Sequence, residues 1–201
     1  MLSRATTSKS IITYNGEWSE NLEDIVKSWA LKAVLQREMH NKSAKYYKAL
    51  STNLTLPLIM LTTLTSVGSF GAVDSAQYKI WMYTTGGLNL FTAFLASMLK
   101  FLKPDEKCSL HSRMSKLFDM YHRELTVQLG LSPNEREKPE ELIERSKKNI
   151  EELMNDSPLI SDNIMNMIIT KYKIELPNDF DINIYVRENK FNNTLSIKVE
   201  T

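Results

Sequence analysis

Cysteine is nearly absent from this 201-residue chain, where Cys108 stands alone. A lone thiol excludes an internal disulfide framework and fits a chain whose water-facing part sits in a reducing compartment. A surplus of charge of either sign is also missing: 25 Lys and Arg face 24 Asp and Glu, with no polybasic block, so nothing nominates a nucleic-acid partner. Glycine-rich phosphate loops, paired cysteine motifs and a Ser/His/Asp order are absent, and no residue is nominated as catalytic, cofactor-binding or metal-ligating. The opening residues "MLSRATTSKS" lack the apolar core of about 7 to 15 residues found in a secretory signal. Membrane targeting is therefore expected to come from inside the chain.

The most informative absence is local. From Ser51 to Val73 runs a stretch of 23 residues without a formal charge, bounded by Lys48 and Asp74. As a helix it would extend about 34 Å, enough for a hydrocarbon layer of about 30 Å. A second stretch, Ile80 to Leu99, adds 20 uncharged residues between Lys79 and Lys100. Neither has the polar stripe of a half-buried soluble helix. Both are read as transmembrane helices, 51–73 and 80–99, joined by the short connection "DSAQYK". Tyr78, Trp81 and Tyr83 gather at one end of the second span, where amphipathic rings favour the headgroup layer.

The connection is too short for anything but a hairpin turn, so both flanks emerge on one side. Lys42, Lys45 and Lys48 before the hairpin and Lys100, Lys103 and Lys107 after it outnumber Lys79 in the turn. That asymmetry places both termini on the cytosolic side. Pro57 removes an amide from the carbonyl of Asn53 and is expected to kink the first span. Two pairs spaced by four, Gly68 with Ala72 and Ala93 with Ser97, would let helix backbones approach closely.

Polar side chains recur inside the spans. Thr55, Thr62, Ser66 and Ser69 share roughly one face of the first, and Thr85, Asn89 and Thr92 one face of the second. These could line a wet pore between subunits or hydrogen-bond across the hairpin. No Asp, Glu, Lys, Arg or His lies in either span, which argues against a proton relay or ion-coupled transport.

Outside the spans the pattern is helical. After an N-terminal tail, 1–20, a cytosolic helix, 21–50, carries Leu22, Val26, Trp29, Ala33, Gln36, His40, Ser43 and Tyr47 at alternating steps of four and three. Downstream Leu110, Met114, Leu117, Tyr121, Leu125 and Gln128 repeat the spacing within a cytosolic helical region, 105–176. Two antiparallel membrane helices would set these seams side by side as a stalk. A further helix is expected from about Pro139 to Asn155, with Leu142, Ser146, Ile150 and Leu153 on one face, and another capped by Ser161 or Asp162. In the C-terminal segment, 177–201, alternation at Ile182, Ile184 and Val186, and again at Leu195, Ile197 and Val199, suggests a small β-hairpin or an ordered tail. His40, His111 and His122 all fall on the stalk helices and are read as interhelical hydrogen-bonding residues.

The stretch "WALKAVLQREMHNKSAKYYKALSTNLTLPLIMLTTLTSVGSF", the hairpin after it, "HSRMSKLFDMYHREL" and the later "SPLI" resemble the SLATT superfamily of two-transmembrane effector domains. The matching parts are the His40, Ala44 and Tyr47 entry pattern, Leu56-Pro57 opening the first span, and Ser157-Pro158 closing the helical region, over about residues 22 to 165. The resemblance implies a hairpin that oligomerises and permeabilises a membrane when an associated sensor or enzyme triggers it. This chain departs from that pattern in carrying no recognisable nucleotide sensor. Its Asn, Lys, Ile and Met-rich composition also resembles small membrane proteins of large DNA viruses.

The expected class is thus an all-α membrane protein that self-associates as a homo-oligomer in a lipid bilayer and acts as a pore-type effector, without a cofactor. The rival reading is structural: a virion or organelle membrane protein whose helices and tail dock onto a scaffold or capsid protein.

Overall fold

The computed structural model describes residues 17–71 and 78–172, with the side chains of 69–71 excepted. The described residues form helices and the short links between them, with no strand. The β-hairpin or tail, the N-terminal tail through residue 16, and most of the turn between the spans lie outside them.

Helix α1, Glu20–Gly71, is 52 residues long and carries the stalk seam and the first apolar stretch without interruption. No Gly or Pro occurs from Glu20 to Leu56, and Glu20 and Glu23 in the first turn complement the positive end of the helix dipole. The helix runs through Pro57. Helix α2, Tyr78–Leu102, holds the second apolar stretch and packs back on α1. Lys103 then adopts a left-handed conformation, φ 45° and ψ 52°, and Pro104 opens α3, Pro104–Gly130. The following proline disfavours the right-handed helical conformation at Lys103, which ends α2 and restarts the chain almost in line. Helices α4, Pro139–Asp156, and α5, Asp162–Lys171, complete the stalk.

The core lies in the stalk. Leu22, Val26, Ala33, Gln36, His40 and Ser43 of α1 are buried, as the heptad spacing predicts. On α3 the buried line is His111, Met114, Phe118, Tyr121 and Leu125. Here the sequence reading is corrected. Leu110 is 45% exposed and off the seam, while His111 and Phe118 occupy it. Positions 104, 111, 118 and 125 recur by seven, as do 107, 114, 121 and 128, so the seam is still a heptad. Leu142, Ile143, Ser146 and Ile150 of α4 close one side, where the Tyr121 hydroxyl donates to the Ser146 carbonyl at 3.0 Å. Met165 and Ile168 of α5 cover Met39 on another side. Polar contacts fix the antiparallel register: Ser115 donates to the Arg37 carbonyl at 3.1 Å, and Arg37 pairs with Asp119 at 2.9 Å. The Arg37 guanidinium holds the Asp119 carboxyl below its ordinary value.

The N-terminal end of the stalk is clamped differently. Arg136, in the α3–α4 link, pairs with Glu23 at 2.6 Å, lies 5.2 Å over the Trp18 ring and donates to the Leu129 and Leu131 carbonyls. Trp18 in turn donates its indole N–H to the Glu137 carbonyl at 3.1 Å.

Candidate functional site

Among the described residues, two helices are long and apolar enough to cross a membrane. The most apolar 18-residue stretch of each has only 11% of its residues buried. A soluble core helix would have most of that stretch covered by protein. Here Leu56, Met60, Leu64, Val67, Leu90, Phe91 and Phe94 are all more than half exposed. A largely apolar, charge-free surface on both helices, continued by a polar stalk with its own core, suits a hairpin solvated by lipid.

The line along which α1 meets α2 is read from burial. On α1 it comprises Ser51, Leu54, Leu58, Leu61, Thr65 and Gly68, and on α2 Thr85, Leu88, Thr92, Leu95 and Leu99. Gly68 lies against the second helix: a β-carbon there would stand 3.6 Å from the Trp81 ring and 3.9 Å from the Thr85 methyl. Its partner in the predicted pair, Ala72, lies outside the described residues, and Ser69 is described only in its backbone. Ala93 and Ser97 are exposed and do not face α1, so close approach within the hairpin does not depend on them.

The polar residues singled out from sequence divide in two. Thr85 and Thr92 lie along the helix–helix line, while Thr62, Ser66 and Asn89 are exposed and Thr55 is half-buried. Five of these hydroxyls bond within their own helix and not across the hairpin. Thr62 donates to the Ile59 carbonyl, Ser66 to Thr62, Thr85 to Trp81, Thr92 to Leu88 and Ser97 to Ala93, each within its own helix at 2.7–2.8 Å. Such back-bonding lets a hydroxyl face hydrocarbon at little cost, because its donor is already satisfied. Asn89 has no such recourse. Its amide is exposed and hydrogen-bonds to nothing among the described residues.

Helical geometry gathers exposed Thr62, Ser66 and Asn89, with half-buried Thr55, on one side. At about 100° per residue, Thr55, Thr62 and Ser66 fall on one flank of α1 relative to the line facing α2. Gly86, Asn89 and Ala93 fall on the corresponding flank of α2. In an antiparallel pair of right-handed helices, corresponding flanks open on the same broad face. That face is small and polar apart from Ile59 and Met82, whereas the opposite face presents Met60, Leu64 and Val67 with Phe91 and Phe94. The two-sidedness is legible only once the contact line between the helices is known.

Just outside the apolar stretches, two of the histidines read from sequence as interhelical hydrogen-bonding residues pair with each other across the seam, a partnership the sequence reading did not specify. His40 and His111 meet Nδ1 to Nδ1 at 2.9 Å, fully buried and 2% exposed respectively. Phe118 stacks on His40 with ring centres 5.6 Å apart, and Tyr47 stacks on His111 at the same distance. The signal was available: folding the chain about the connection at 74–79 brings His40 within a turn of His111. His122, by contrast, is half-buried with its Nδ1 3.2 Å from the Ala30 carbonyl. Among the described residues no group of three or more His, Cys, Asp or Glu is placed to hold a metal ion, and Cys108 is a half-buried free thiol.

No protein-family model, no curated protein and no solved structure matches the chain.

Proposed function

We propose that the chain is an integral membrane protein whose α1–α2 hairpin inserts into a bilayer and self-associates through its small, polar face, perturbing or permeabilising the membrane as a pore-type effector. The observation that carries this reading is Asn89. An amide with two donors and an acceptor, unpartnered on a helix otherwise suited to hydrocarbon, costs free energy in lipid that a neighbouring copy or enclosed water removes. The flanking Gly86 and Ala93 are small enough for a second helix to approach, and Thr62 and Ser66 extend the same face onto α1. Several copies arranged about an axis with this face inward would put hydroxyls and amides around water and the Phe-bearing face against lipid. The lysines flanking the hairpin support a topology with the stalk and both termini in the cytosol. The resemblance to two-transmembrane effector domains supports the same assignment.

Oligomeric state in nanodiscs and conductance across a planar bilayer test it together. The wild-type chain is expected to be multimeric and conductive, and Asn89→Leu with Thr62→Val to lower both. A monomer without conductance at any protein density would leave the hairpin as an anchor only and would sink the effector reading.

A further inference from the structure

The His40–His111 pair sits where the stalk enters the hairpin, and its proton count is constrained by geometry. Two neutral imidazoles carry two N–H protons. One must lie in the 2.9 Å contact between the Nδ1 atoms, which makes one ring a donor and the other an acceptor. Nε2 of His40 is buried and has no hydrogen-bond partner. An orphaned lone pair is less costly than an orphaned N–H, so His40 is the donor through Nδ1–H and its Nε2 is bare. His111 then accepts at Nδ1 and carries its own proton on Nε2. An additional proton has two places to go. On His40 Nε2 it creates a buried cation without an acceptor, and on His111 Nδ1 it meets the hydrogen already in the contact.

Among the described residues, no carboxylate free of another partner faces the pair to offset a positive charge. From α1 the facing titratable group is Tyr47, stacked on His111, and from α3 Lys107 lies 5.5 Å over the Tyr47 ring, adding positive charge. Cys108 stands one turn before His111 on α3. Arg37, Glu38 and Asp119, at the next turn of the seam, are engaged with one another at 2.9–3.2 Å. From α5 the neighbouring cluster brings Met165 and Ile168, with Tyr172 at its edge. Burial, and for His40 the neighbouring ring, accordingly push both histidines below the ordinary imidazole value, His40 to about 3.

We propose that His40 and His111 form an acid-sensitive latch that holds α1 against α3 while both rings are neutral and opens the root of the hairpin when a further proton arrives. The latch regulates the membrane activity proposed above, and its link to that activity rests on that reading. The sign follows from the depressed values. The opened form, with solvated rings near 6.5, takes up protons before the closed form does, so the closed form is fully favoured above that pH. Its advantage then erodes as pH falls from about 6.5 toward 3, by about tenfold per pH unit for each ring protonated. Because α1 is one continuous helix and α3 follows α2 after a single residue, separation of the seam at His40 levers directly on the spans.

The test uses the full chain in nanodiscs. Amide exchange over residues 36–44 and 107–118, corrected for intrinsic pH dependence, is followed from pH 8 to 4.5, with imidazole NMR alongside. Protection is expected to be flat above pH 6.5 and to fall at least tenfold by pH 5, both rings titrating together as it falls. The fall should vanish in His40→Leu/His111→Leu and persist in His122→Gln. Should the double variant not fold, wild-type NMR decides alone: either ring taking up a proton while the seam stays protected overturns the latch. Unchanged wild-type protection down to pH 4.5 overturns it too. Dye release from vesicles separates the two proposals. Acid opening without release leaves the latch standing and removes the effector activity. Equal acid-triggered release from wild type and double variant removes the latch and leaves the effector.

Discussion

Phe118 shows how much of the stalk rests on single side chains. It is fully buried at the centre of the α1–α3 seam and stacks on His40, so truncating it removes the largest apolar contact in the core and uncovers the histidine pair. Phe118→Ala is expected to destabilise the stalk by about 3–5 kcal/mol. Circular dichroism during thermal unfolding in mild detergent checks this, and an unshifted midpoint would contradict the packing described. From the sequence, Leu110 and Leu117 look like natural seam residues because leucine is the commoner core side chain. Hydrophobicity alone could not choose between registers one residue apart. What chooses is α1: its polar seam residues Gln36, His40 and Ser43 select a partner line that brings His111 opposite His40 and Ser115 beside the Arg37 carbonyl.

At the scale of elements, helices with strong periodicity and clear punctuation were legible. Pro139 marks the start of α4, and Leu142, Ser146 and Ile150 face the core because they recur at steps of four. The junction of α2 and α3 was not legible, since no periodicity signals a single left-handed residue. Pro104 disfavours the right-handed helical conformation at Lys103, which here adopts the left-handed one, where a side chain carries a steric cost of about 1–2 kcal/mol. The exposed Lys103–Glu106 pair at 3.1 Å offsets little of it. Lys103→Gly should therefore raise stability by about 1 kcal/mol, read as an upward shift in the same thermal transition. A lowered midpoint would show that the lysine has a role the backbone geometry does not reveal.

At the scale of the whole molecule, the described residues divide into a stalk that buries its own apolar side chains and a hairpin that leaves its apolar side chains outward. The stalk buries Val26, Phe118, Leu125, Leu142 and Ile168 as a soluble helical protein would. Few of the described hairpin residues are buried, and aliphatic and aromatic side chains such as Met60, Leu64, Leu90 and Phe94 point outward. Two charge-free stretches in the sequence announced two helices long and apolar enough to cross a membrane, but not the division of the hairpin into a polar and an apolar face, which depends on the rotation of each helix about its axis. Lipid as the solvent of the hairpin is the physical condition on which both proposals depend. Sedimentation of the full chain with liposomes after alkaline carbonate treatment tests it most directly. The protein should remain in the pellet until detergent is added, whereas a folded monomer recovered in the supernatant would contradict it.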